Sequence, residues 1–110
     1  MIDTLRLKGA PLALLALAAA LAGCADSGLS PAAERGRQTY LAQCIACHNP
    51  DPTQPGAVGP PIKGSSRELL EAKVLNGTYP PGYTPKRPTK VMAPIPAVAP
   101  EIASLAEYLR

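Results

Sequence analysis

The five residues Cys44-Ile45-Ala46-Cys47-His48 constrain this chain more than any other stretch. Two thiols three positions apart, with an imidazole directly after the second, is the spacing that attaches a c-type haem. On one helical turn the two sulfurs can reach the two vinyl groups of a single porphyrin while the next residue turns a ring nitrogen toward the iron. One short loop then fixes the cofactor and supplies an axial ligand. Other chemistries of a Cys-x-x-Cys pair fit less well. A thioredoxin-like dithiol calls for a strand-helix-strand setting, and nothing upstream reads as a buried strand. A structural zinc site needs four ligands, but His48 is the only histidine and Cys24 the only other cysteine. A plain disulfide stays open in an oxidising compartment but leaves His48 without a role.

A chain of 110 residues holds at most one domain. With no Phe, no Trp and four Tyr, it has little large apolar surface from which to build a core. A buried macrocycle would supply what is missing, although a small chain that is disordered or orders only on a partner would share this composition.

Residues 1–23 read as an export signal outside the fold. Arg6 and Lys8 precede an apolar run from Pro11 to Gly23 that is short for a bilayer span. Its end, Leu21-Ala22-Gly23-Cys24, resembles the lipobox of bacterial lipoproteins, whose cysteine is lipidated and becomes the new N-terminus. That resemblance implies acyl chains on Cys24 that hold the protein at a membrane surface without spanning it. Ordinary cleavage with Cys24 left as a thiol, or an uncleaved helical anchor, are the alternatives; a free third thiol would be a liability during haem attachment. Export also suits the motif, because c-type haem is by resemblance attached on the outer side of the bacterial cytoplasmic membrane. The expected location is therefore the periplasmic side. Met1 leaves with the signal, so Met92 is the one methionine that remains, as His48 is the one histidine.

The rest divides into a tether, 24–30, and a domain, 31–110. Ser30-Pro31 reads as an N-cap and first helical residue, opening a helix from about Ala32 to Gln43 with Ala33, Tyr40, Leu41 and Cys44 toward one side. Gly36 is costly in its interior unless another element approaches closely. After His48 comes a stretch too rich in Pro and Gly for regular structure. Ser65-Ser66-Arg67-Glu68 offers a capping box for a second helix carrying Leu69, Leu70, Val74 and Leu75, which Asn76-Gly77 ends. Residues 78–99 form a proline-rich loop that contains Met92. Pro100 opens a last amphipathic helix with Ile102, Leu105, Tyr108 and Leu109 in register. No repeat and no strand alternation is present, so the fold class is all-α.

Three helices separated by proline-rich loops, with the haem motif closing the first, resemble a class I (monohaem) cytochrome c from about Ser30 to Arg110. In that family the first and last helices cross through a glycine and an aromatic on one against an aromatic on the other; Gly36, Tyr40, Leu105 and Tyr108 stand at the matching places. The family's Gly-Pro-x-Leu-x-Gly stretch appears as Gly59-Pro60-Pro61-Ile62-Lys63-Gly64, departing at Pro61 and at Ile62. The resemblance implies that the Pro60 carbonyl accepts a hydrogen bond from His48, that Ile62 packs on the haem face, and that Met92 is the second axial ligand. Thioether ligation raises the haem potential and suits a saturated iron; Lys86 and Lys90 are the rival ligands. Tyr79, Tyr83, Lys86 and Arg87, on the approach to Met92, are candidates to pair with the haem propionates. Lys86, Arg87 and Lys90 alternatively form a basic docking rim for an acidic redox partner, or a solvated loop.

The expected function is that of an electron carrier and not an enzyme: a monomer with one haem c bound through Cys44 and Cys47, tethered by lipid on Cys24, cycling between ferrous and ferric iron against redox partner proteins. The chain has net charge +3, and removal of Arg6, Lys8 and Asp3 with the signal leaves +2, which argues against a nucleic-acid partner. A second reading is a haem protein with a displaceable sixth ligand that binds gas. A third is a fixed cytochrome subunit of a respiratory dehydrogenase or oxidase complex.

Overall fold

The computed structural model describes residues 27–110. The expected signal segment 1–23, the expected lipidation site Cys24 and the first part of the expected tether lie outside the described residues. Helix α1 spans Pro31–Gln43. The Ser30 hydroxyl accepts from the Ala33 N–H at 3.1 Å, and Pro31 occupies the first turn, where its missing N–H costs nothing. Glu34 pairs with Arg37 at 2.7 Å one turn on. Ala33, Gly36 and Tyr40 face inward, and Leu41 and Cys44 are partly buried against the same core.

The second helix departs from expectation twice. Its cap is Ser66, whose hydroxyl accepts from Leu69 N–H at 3.1 Å, while Ser65 donates backward to the Ile62 carbonyl at 2.6 Å. The capping box anticipated from Ser65 to Glu68 does not form: the cap lies one residue later, and Leu69 in the third helical position has no polar side chain to return the bond. Regular α-helix, α2, covers only Arg67–Leu70, and Glu71–Leu75 continues as a π-helical turn. Carbonyls in that turn serve groups outside it. Ala72 accepts from the Thr78 N–H at 3.0 Å, and Val74 accepts from the Ile95 N–H at 2.6 Å. Gly77, at φ 68°, supplies the left-handed residue that turns the chain away.

The last helix also starts later than expected. Pro96–Glu101 is a 3-10 segment holding Pro96 and Pro100, neither of which can donate to an α ladder. Helix α3 runs over Ile102–Leu109, with Ile102, Leu105 and Leu109 buried. Among the described residues there is no strand, and no helix is long and apolar enough to cross a membrane.

Helices α1 and α3 meet at Gly36, where a Cβ would press on the Ser104 backbone and stand 2.9 Å from Tyr108 Cβ. Removing that atom lets two backbones touch, and Tyr40 and Tyr108 then close the crossing with ring centroids 5.6 Å apart and planes tilted by 52°. Leu70, Val74 and Val98 join Tyr40 and the buried face of α3 in one small core, against which Met92 and Ile62 are partly buried. At the far end of α3, Lys63 Nζ donates to the Tyr108 carbonyl at 2.8 Å. Gly64 N–H donates to the Leu109 carbonyl. The loop after His48 is thereby tied to the C-terminus.

Candidate functional site

The residues from Cys44 to His48 wind into a turn at the end of α1, with the His48 N–H donating to the Cys44 carbonyl at 2.9 Å. The chain then doubles back. Val58 and Gly59 both donate to the Cys47 carbonyl, at 3.1 and 2.9 Å, and Ile62 and Lys63 both donate to the Pro52 carbonyl at 2.9 Å. A segment with no helix or strand is thus held in one shape by backbone bonds. The His48 ring lies on Gly59, where a Cβ would sit 2.5 Å from Nδ1. Nδ1 is 3.0 Å from the Pro60 carbonyl oxygen. Because a carbonyl can only accept, the proton belongs on Nδ1, which leaves the Nε2 lone pair for a metal.

His48, Pro60, Ile62, Tyr79, Tyr83 and Met92 line one cleft. Lys86 and Arg87 also line it; Lys90 does not. Cys44 and Cys47 are free thiols in the preceding turn and are not among the lining residues. Cys44 is half-buried, and burial pushes its thiol up to about 11, whereas Cys47 is exposed.

Several contributors to the cleft were not apparent from sequence. Lys73 holds its ammonium 4.5 Å above the Tyr79 ring, and Tyr79 stacks on Tyr83 at 5.4 Å with planes 13° apart. The signal was present in the spacing, since Lys73 follows Leu69 and Leu70 at helical intervals on the face that lines the cleft. Lys86 was expected as a propionate partner, docking residue or rival ligand. It lines the cleft, and its ammonium donates to the Pro61 carbonyl at 2.8 Å, beside the carbonyl that His48 uses. Tyr40 was expected only as a crossing aromatic, yet its hydroxyl donates to the Asn49 carbonyl at 2.5 Å. Burial pushes that hydroxyl up to about 12.

These residues fit a haem. Among the described residues no three His, Cys, Asp or Glu side chains gather to hold a bare metal ion. An imidazole and a thioether on one apolar-walled cleft are two donors, too few for a naked ion and the number that porphyrin iron lacks. Cys47 directly precedes the imidazole and Cys44 lies one turn before it.

No curated protein and no solved structure matches the chain significantly. A family profile described as cytochrome c oxidase, cbb3-type, subunit III matches residues 31–109. The match covers the whole helical domain, the Cys44–His48 turn and the cleft, and the chain accordingly belongs to this family of c-type cytochrome domains.

Proposed function

We propose that the chain is a single-haem electron-transfer protein in which Cys44 and Cys47 bind the haem covalently and His48 and Met92 are its axial ligands. Bound there, the haem supplies a one-electron ferrous/ferric couple. The protein's part is to hold and tune. Pro60 fixes the His48 tautomer and raises its basicity, Met92 contributes a weak sulfur donor that favours the reduced state, and Ile62, Leu70 and Val74 give an apolar wall. Tyr79, Tyr83 and Arg87 face the same cleft and suit the propionates. Lipid on Cys24 tethers the domain to the periplasmic side of a bacterial membrane, where donor and acceptor proteins are met as a monomer.

The observation that carries this reading is the convergence of His48, with Nδ1 already engaged, and Met92 on one cleft. Optical spectra of the purified holoprotein, oxidised and reduced, with and without carbon monoxide, test it. A sulfur-to-iron charge-transfer band in the oxidised form and indifference of the reduced form to carbon monoxide are expected. A high-spin iron that binds the gas readily would transfer the assignment to a ligand-binding protein.

The description of the matching family, an oxidase subunit, favours as second reading a fixed cytochrome within a respiratory complex. Co-purification of oxidase activity with the tagged, detergent-extracted protein distinguishes a subunit from a free carrier.

A further inference from the structure

We propose that Tyr40 is a positioning residue for His48: its hydroxyl, sealed inside the α1–α3 crossing, anchors the backbone leaving His48 and thereby sets the orientation of the imidazole. The inference rests on His48 being the iron ligand.

Packing alone does not call for the hydroxyl. Tyr40 is fully buried, its ring already packs at a tilt against Tyr108, and phenylalanine would fill the same volume without bringing a polar atom that must be satisfied. That atom is satisfied by the Asn49 carbonyl, one residue beyond the ligand and directly before Pro50. The bond therefore ties the rigid helix crossing to the loop at the point where the chain leaves His48.

The other side of His48 is held independently. Its own N–H donates to Cys44, and the preceding carbonyl, that of Cys47, receives both Val58 and Gly59. With the chain fixed before and after it, the His48 Cα has little freedom, and the ring is confined between Gly59 and its bond to Pro60. Removing the Tyr40 hydroxyl frees the exit side only. The Asn49 carbonyl loses its buried donor, the loop relaxes toward solvent to find another, and the imidazole plane turns with it. Axial-ligand plane and imidazole basicity both act on the iron, so the change registers in the metal's spectrum and potential, not only in stability.

The test is Tyr40→Phe in the holoprotein, with Tyr108→Phe as the control at the same crossing. Expected for Tyr40→Phe are altered g-values of the ferric low-spin signal and a change of about threefold in the ferric-to-ferrous ratio at fixed ambient potential, about 30 mV for a one-electron couple. Amide exchange at Asp51, whose N–H donates to the Asn49 side chain, should quicken by about tenfold, with protection at Val58, Gly59 and α3 retained. Tyr108→Phe should leave g-values and potential at wild-type values. A Tyr40→Phe protein that melts lower but keeps both iron signatures would show the hydroxyl to be structural only and overturn the proposal. A fall in α3 protection equal to that at Asp51 would overturn it too. If the wild-type protein lacked a histidine-ligated low-spin signal, the underlying reading of His48 would fall first, an outcome distinct from a normal wild type with an unresponsive variant.

Discussion

Gly59→Ala separates the role of the loop from that of the helices. The positive-φ glycines of the described chain are Gly28, Gly64, Gly77 and Gly82, so at Gly59 the backbone accepts alanine and the whole penalty is steric. A Cβ there would lie 2.5 Å from His48 Nδ1, where ordinary contact begins at 3.4 Å. The gap is short by about 1 Å, which either the ring or the loop must yield. If the ring yields, the 3.0 Å bond to Pro60 stretches out of hydrogen-bonding range. If the loop yields, the two donors to the Cys47 carbonyl are drawn off. Overpacking of about 1–3 kcal/mol plus a lost bond of about 1 kcal/mol, less about 0.5 kcal/mol from the stiffer unfolded chain, gives about 1.5–3.5 kcal/mol. For a domain of this size the thermal midpoint of the holoprotein should fall by on the order of 10–20 °C. An imidazole without its carbonyl partner is a weaker donor to ferric iron, so the potential should rise by on the order of 30–60 mV. Absorbance-monitored melts and a spectroelectrochemical titration measure both. A midpoint within about 2 °C of wild type, with an unchanged potential, would refute the claim that Gly59 exists to seat His48.

Met92→Ala should abolish the sulfur-to-iron band and let the reduced protein bind carbon monoxide, both read optically; a variant that still excludes the gas would remove Met92 from the iron. Gly36→Ala should cost about 1–3 kcal/mol despite alanine's better helix propensity, because its Cβ would meet the Ser104 backbone; a denaturant midpoint at or above wild type contradicts the crossing. The Tyr40 hydroxyl, raised from 10.0 to about 12, stays neutral in the fold while the unfolded chain already ionises. Its contribution is complete below pH 10 and is lost as pH climbs from 10 to 12, about 2–3 kcal/mol in all. Denaturant titrations at pH 9 and 11.5 should show a drop larger by about 2 kcal/mol in wild type than in Tyr40→Phe, and equal drops would place the hydroxyl in contact with water.

The two ends of the fold were legible because they rest on local chemistry. Ser30-Pro31 caps α1 as read, Asn76-Gly77 ends the second helix, and the glycine in α1 announced a close neighbour. What the pattern could not give was the competition for backbone groups. Periodicity over Leu69–Leu75 reads as one helix, but Ile95 arrives from distant sequence and Thr78 folds back from just beyond the turn to bond its carbonyls, and the ladder opens into a π turn. Pro100 reads as a helix start only if Pro96 is ignored. In the cleft, the motif residues were readable one by one, whereas the stacking of Lys73, Tyr79 and Tyr83 and the attachment of Lys86 to Pro61 depend on how two proline-rich loops face each other. No local signal encodes that.

That dependence makes the two proposed ligands unequal. His48 is held through its own N–H, through the Cys47 carbonyl, through Asn49 and through its ring nitrogen, all within a loop whose shape is closed by its own backbone bonds. Met92 is only partly buried, follows Val91 at 66 % exposure, and is secured chiefly from Ile95, three residues on, whose N–H reaches Val74. Pro94, which rests 3.0 Å from the Cβ position of Gly77, stiffens that link without closing the other side. A strong donor fixed before the cofactor is bound, opposite a weak donor on a loosely tied strand of chain, keeps the iron's proximal side constant while leaving the distal side as the softer coordinate. On the proposed ligation, electron transfer and gas binding would differ by how firmly one loop holds the Met92 sulfur, and the π turn that offers Val74 to Ile95 is where that firmness would be decided.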